Sequence, residues 1–181
     1  MRASFVVTGL LVAAASMPVH AQGRRGAAGA SDHAVSTARL PWQQISGYIA
    51  QAAEDMPAEK YSYKPTPEVR SFGQLVAHVA GSQYMFCAAA LGEKERAEDD
   101  VEKSKTAKDD IVAAMKASNE YCARAYRLSD AATRAPLTMF GTKATRLFAL
   151  VVNATHDGEH YGNIVTYLRM NGMVPPSSRG Q

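Results

Sequence analysis

The stretch that decides the fold of this chain lies near its C-terminal end and reads Thr155-His156-Asp157-Gly158-Glu159-His160-Tyr161-Gly162-Asn163. It lies inside a long, mostly apolar run from Leu147 to Met170, which is long enough for one helix of about seven turns. Residues four positions apart lie on the same face of an α-helix. His156 and His160 therefore place two imidazoles side by side, where they can bind one metal ion.

The other polar residues of this predicted helix gather around the two histidines. At about 100° per residue, Glu159, Asn153 and Asn163 all lie within about 60° of His156, and the opposite side is apolar. Polar groups on a helix that is buried all round destabilise the fold unless a metal or a hydrogen-bonded network satisfies them. We take Glu159 as the candidate catalytic residue, and Asn153 and Asn163 as candidates that support the metal ligands.

A third histidine is available on an earlier predicted helix. Ser71 and Gln74 have the spacing of a capping box, which places a helix start shortly before His78. Three neutral imidazoles leave a fourth coordination position open, as in catalytic zinc sites. The predicted cofactor is a divalent metal held by His78, His156 and His160, with zinc or nickel favoured and iron or copper also compatible. A metal-free hydrogen-bonded core is the alternative.

Apolar residues recur at helical spacing in four segments, at residues 35–56, 71–91, 107–128 and 143–171. The charged stretch at residues 93–108 is predicted to be a solvated loop, and residues 130–142 a second connector. No strand is predicted. Four helices joined by connectors of moderate length predict an all-α four-helix bundle in one domain, residues 35–178.

The N-terminal residues are predicted to be cleaved off. Arg2, an apolar run over residues 5–15 and small residues ending at Ala21 are typical of a secretory signal peptide at residues 1–21. A retained membrane anchor is the alternative, but the run is shorter than the ~20 residues of a span. Residues 22–34 are predicted to be a flexible leader. We expect an exported protein, periplasmic or secreted, without a membrane segment after cleavage.

The two cysteines, Cys87 and Cys122, are a candidate disulfide, with two buried free thiols as the alternative. Cys87 follows His78 by nine residues, which is about half a helical turn out of phase, so it points away from the predicted metal. The formal charge of +3 is small and not clustered. A nucleic-acid partner is therefore not expected.

Residues 156–160 also match the H-x-x-E-H pattern of inverted zinc proteases. The pattern fixes only a few residues, and those proteases take a further acidic ligand well downstream. Only 21 residues follow His160 here, and they include the helix end and Pro175-Pro176. We therefore reject the protease interpretation.

Two segments of the chain resemble proteins of the DinB-like family. One is the stretch from Ser71 to Ala80 around His78, and the other combines His156, His160 and Tyr161-Gly162-Asn163 with Tyr167-Leu168-Arg169 and Pro175-Pro176. The resemblance covers roughly residues 35–178, although the family more often has Gln where this chain has Asn163. It implies an up-down-down-up four-helix bundle that binds a divalent metal through the three histidines. Relatives include transferases that use low-molecular-weight thiols and a maleylpyruvate isomerase.

Three functional hypotheses follow. The first is an exported metal-dependent hydrolase or transferase with an open metal position and an unknown small-molecule substrate. The second is a non-catalytic module that binds a metal or small ligand, and the third is a structural protein. The low-molecular-weight thiols that these relatives use are cytoplasmic, so the thiol-transferase activity is a poor guide to the function of an exported chain. The apolar side of the last helix predicts a homodimer, unless the bundle core covers that side.

Overall fold

The computed structural model describes residues 32–180. The predicted signal peptide and residues 22–31 of the leader lie outside the described residues. The helices are α1 (His33–Asp55), α2 (Phe72–Leu91), α3 (Asp100–Ser104), α4 (Lys108–Ala125), α5 (Asp130–Thr133) and α6 (Arg146–Met170), the strands are β1 (Pro136–Met139) and β2 (Thr142–Thr145), and 3-10 turns occupy Ala58–Lys60 and Pro176–Ser178.

The four long helices form a bundle, as predicted. Helix α2 packs against α4 and α6, and α1 packs against the same two helices, so α1 and α2 occupy opposite corners. The predicted all-α, four-helix architecture is therefore confirmed. No helix among residues 32–180 is both long enough and apolar enough to span a bilayer.

Helix α2 begins and ends where the sequence indicates. The Ser71 hydroxyl accepts a hydrogen bond from the Gln74 amide, and the Gln74 side chain accepts one from the Ser71 amide, which completes the capping box. Gly92 follows the helix with φ of 71°, a left-handed conformation that glycine adopts without strain. These two ends fix the position of His78 along the helix.

The expectation that the chain contains no strand is wrong. Strands β1 and β2 form an antiparallel hairpin in which Pro136 pairs with Thr145 and Met139 with Thr142. Phe140 and Gly141 form its two-residue turn with φ of 52° and 74°, as a type I′ turn requires. Each strand has only four residues, too few to produce a clear alternation of apolar and polar side chains. Helix α6 consequently begins at Arg146 rather than at residue 143.

A disulfide joins the candidate pair Cys87 and Cys122, with the two Cα atoms 5.3 Å apart. It links α2 to α4 inside a buried cluster in which Trp42 stacks on Tyr126 at 4.3 Å. The bridge closes a loop of 35 residues. A loop of that length corresponds to about 3–4 kcal/mol of stabilisation when the unfolded chain is constrained.

Candidate metal centre

Three histidines from two helices meet at one point of the bundle. His78 comes from α2, and His156 and His160 come from successive turns of α6. The Nε2 atoms of His156 and His160 are 3.0 Å apart, and the His78 ring centroid lies 5.2 Å and 4.8 Å from theirs. One nitrogen from each ring lies within 4.8 Å of the other two. The cluster could therefore hold one metal ion.

The donor set fits such an ion. The Nε2 atoms of His156 and His160 approach each other and are free to face an ion, while the buried Nδ1 atom of each of the three rings has no hydrogen-bond partner among the described residues. His78 is buried, and His156 and His160 are partly buried. Imidazole nitrogens are common ligands of zinc, nickel, iron and copper. The arrangement therefore satisfies the ligand type and the proximity that a divalent metal requires.

All three imidazoles favour the neutral form, which is the form that binds metals. Burial, with the charges of His160 and His78, lowers the pKa of His156 to about 3. Burial, followed by the charge of His78, lowers the pKa of His160 to about 4. Burial and the Arg70 guanidinium also lower the pKa of His78. At neutral pH the lone pairs of the rings are therefore available for coordination.

Without metal, the fold should lose stability in acid for the same reason. The folded-state pKa values of about 3 and 4 for His156 and His160 lie below the ordinary value near 6.5. The unfolded chain therefore takes up protons first, and stability that is present above about pH 6.5 is lost as the pH falls towards 4. We expect His156→Gln to reduce the slope of the unfolding free energy against pH by about 1 kcal/mol per pH unit.

Urea unfolding of metal-free protein between pH 7 and 4 measures the slope directly. Equal slopes for the wild-type protein and His156→Gln would contradict the assignment of a depressed pKa to His156.

Two carboxylates that the sequence analysis missed approach the histidines. Glu98 Oε1 lies 3.8 Å from His78 Nε2 and 3.7 Å from His156 Nε2. Glu102 Oε2 lies 3.8 Å from His78 Nδ1 and accepts a hydrogen bond from Arg70 Nε at 3.1 Å. Residues 93–108 were predicted to be a solvated loop, but α3 lies within them and both carboxylates reach the site. Only the density of acidic residues in that stretch could have drawn attention to them.

Glu159 and Asn163 lie at the exposed edge of the cluster. The Glu159 carboxylate acts on the site through its charge, which raises the pKa of His78 and His160 against the larger effect of burial. Asn163 lines a cavity together with His160. Both therefore face solvent beside the histidines.

Asn153 has a different hydrogen-bond partner from the one expected for a residue that supports the metal ligands. It is fully buried, and its Nδ2 atom donates a hydrogen bond to the Tyr126 hydroxyl at 3.1 Å rather than to an imidazole. The Tyr126 hydroxyl in turn donates to the Leu150 carbonyl at 2.8 Å. The contacts of Asn153 thus belong to the bundle interior near the disulfide, because the face it shares with Leu150 turns inward.

Asp157 is a further residue that the sequence analysis did not single out. It is fully buried on α6, and no hydrogen-bond partner of either carboxylate oxygen is found among the described residues. Burial raises its pKa well above the ordinary value. Burial therefore disfavours the charged form of this carboxyl group, which lies next to His156 in the sequence.

A cavity of about 520 Å³ opens beside the cluster. His160, Asn163 and Tyr167 of α6 form one wall, and Arg70 and Glu102 form another. The Tyr167 hydroxyl donates to the Arg70 carbonyl at 2.7 Å, which fixes the segment before α2 against α6. The cavity has the size of a small-molecule site and reaches the histidines at His160.

Solved structures share this fold. A DinB-like protein from Bacillus cereus ATCC 10987 aligns with a TM-score of 0.66 and 16% identity over 78% of this chain and 95% of that chain. The DinB-like protein YjoA from Bacillus subtilis gives 0.63 and 22% over 82% and 99%. A mycothiol-dependent maleylpyruvate isomerase gives 0.58 and 16% over 73% and 59%. At these identities the likeness concerns the fold.

Comparison with curated proteins gives no sequence match. A sequence model of the DinB superfamily, by contrast, matches residues 43–164. That range covers most of the bundle and contains His78, His156 and His160. The chain belongs to the DinB superfamily.

Proposed function

We propose that this protein is an exported, divalent-metal-dependent enzyme of the hydrolase or transferase class that acts on a small molecule. His78, His156 and His160 hold the metal, with zinc or nickel as the favoured ions. The observation that carries the proposal is the approach of three imidazoles, one buried and two partly buried, to one point beside an open cavity. Three protein ligands and a neighbouring cavity are the arrangement of catalytic rather than structural metal sites.

The chain's own residues supply binding and proton transfer. A divalent metal held by the histidines would act as a Lewis acid and activate water at neutral pH. The cavity beside His160 binds the substrate, and the Asn163 amide offers it a donor and an acceptor. Glu159, exposed at the edge of the site, accepts a proton from the attacking group.

One structural relative is a mycothiol-dependent maleylpyruvate isomerase. A transferase that uses a low-molecular-weight thiol is therefore the activity to compare with hydrolysis. We place hydrolysis first because the predicted signal peptide takes the chain away from the low-molecular-weight thiols of the cytoplasm.

Export itself is tested by the N-terminal sequence of the protein recovered outside the cytoplasm. A start at Gln22 supports the proposal, and a retained Met1 contradicts it.

The alternative is a binding module without catalysis. It is favoured by one observation, the Glu98 carboxylate that lies in front of two of the three imidazoles. A carboxylate in that position can close the site to substrate.

The homodimer stays a prediction, and the exposed apolar residues Phe148 and Val151 on α6 are the surface it would use.

The catalytic proposal is tested by removing the proton acceptor alone. With metal loaded, Glu159→Gln is expected to lower the hydrolysis rate of a reactive substrate by about 10²- to 10⁴-fold, the usual contribution of general base catalysis. A panel of chromogenic esters and phosphate esters provides the measurement, and equal metal content in both proteins is the control. Equal rates would remove the role of Glu159. No turnover by any loaded protein would favour the binding module.

A further inference from the structure

We propose that Glu98 is a fourth protein ligand of the metal, carried to the histidines by the segment of residues 93–99, which we call the strap. The inference rests on the proposed metal binding by His78, His156 and His160. Its first support is distance: Glu98 Oε1 lies 3.8 Å from His78 Nε2 and 3.7 Å from His156 Nε2. One carboxylate oxygen thus faces the Nε2 atoms of two of the three histidines.

A buried hydroxyl holds that oxygen in place. Ser82 is fully buried on α2, one turn after His78, and its Oγ donates a hydrogen bond of 2.9 Å to Glu98 Oε1. A carboxylate oxygen has more than one lone pair, so it can accept this bond and still face a cation. Carboxylates that bind metals are commonly oriented by such a second hydrogen bond.

The backbone of the strap lies directly on α2. A Cβ atom at Gly81 would overlap the carbonyl oxygen of Glu98 and come within 3.0 Å of its carbonyl carbon. The strap can approach α2 this closely only because residue 81 is a glycine and has no side chain. Since Gly81 is three residues after His78, the close approach sets Glu98 opposite the histidine cluster.

Charge supports the same assignment. Three neutral imidazoles bring no charge to offset a divalent cation, whereas one carboxylate offsets half of it. The neighbouring Glu102 is already engaged by the Arg70 guanidinium, with hydrogen bonds of 3.2 and 3.1 Å. Glu98 is therefore the carboxylate that is placed to meet the metal.

The site would then be closed at rest and would open when a substrate displaces Glu98. The Glu98 side chain is 42% exposed, so it can turn towards solvent without disturbing the core. This gives the proposed enzyme a ligand that exchanges with the substrate, while the histidines stay fixed on α2 and α6.

The test compares metal affinity and coordination in four full-length proteins: the wild type, Glu98→Gln, Glu95→Gln and Gly81→Ala. Glu95→Gln is the matched control, since it removes the same charge from an exposed position of the same strap. Zn²⁺ affinity is measured by competition with a chromophoric chelator. The visible spectrum of the Co²⁺-loaded proteins reports the ligand set.

Glu98→Gln is expected to lower Zn²⁺ affinity by at least about 10-fold, the smallest loss expected even for a residue that only orients a metal ligand, and to change the Co²⁺ bands, while Glu95→Gln matches the wild type in both. Gly81→Ala, if folded by circular dichroism, is expected to act like Glu98→Gln with the carboxylate retained. The test does not depend on whether Gly81→Ala folds, because Glu98→Gln changes only a partly exposed side chain.

Wild-type affinity or an unchanged Co²⁺ spectrum in Glu98→Gln would overturn the fourth ligand, because charge at a distance lowers affinity without changing the bands. If the wild-type protein binds no metal, the proposed function itself fails, and the inference fails with it. If the wild type binds and Glu98→Gln is indistinguishable from it, only the inference fails.

Discussion

Alanine at any one of His78, His156 or His160 is expected to weaken Zn²⁺ affinity by more than about 100-fold. Loss of a residue that only orients a metal ligand already costs 10- to 100-fold, and these three side chains would bind the metal directly. The loss should be similar at the three positions, because each ring presents one nitrogen to the same point. Chelator competition with purified protein measures the effect.

The control for this series is His33→Ala. His33 begins α1 and is not one of the three clustered histidines, so its replacement should leave the affinity unchanged. A variant of the cluster that binds Zn²⁺ as tightly as the wild type would remove that residue from the ligand set. Far-UV circular dichroism separates loss of a ligand from loss of the fold.

Removal of the disulfide is the second large effect. The double variant Cys87→Ala, Cys122→Ala is expected to lose about 3–4 kcal/mol of unfolding free energy, because the bridge closes a loop of 35 residues. In a chain of this size that corresponds to a melting temperature lower by roughly 6–16 °C. Urea and thermal unfolding of metal-free protein provide the two measurements.

The bridge lies entirely inside the core, with both cysteines fully buried. Stability should therefore fall although the surface and the histidine cluster are unchanged, and Zn²⁺ affinity of the folded double variant should remain that of the wild type. An unfolding free energy equal to that of the oxidised wild-type protein would contradict a stabilising role for the bridge.

The sequence predicted the bundle well because its helices carry local signals. The capping box at Ser71 and the left-handed Gly92 mark both ends of α2 within the chain itself. The four-residue spacing of His156 and His160 puts their Nε2 atoms 3.0 Å apart, which is a property of one helix. These features needed no knowledge of how the helices pack.

The features that were missed depend on packing between segments distant in sequence. Glu98 approaches the histidines because the strap lies on Gly81, and no spacing within residues 93–108 encodes that contact. The angular position of Asn153 on α6 was predicted correctly, but its partner Tyr126 comes from the end of α4. A helical wheel gives the angle between residues, and only packing decides which face meets the core.

The metal centre is tested most directly by the metal content of the protein purified without chelators, determined by elemental analysis beside His156→Ala. We expect about one equivalent of a divalent transition metal per wild-type chain and a content near zero in the variant, because a site of three imidazoles binds the ion weakly once one ligand is removed. Equal metal content in the two proteins, or none in either after incubation with Zn²⁺ or Ni²⁺, would contradict the metal centre.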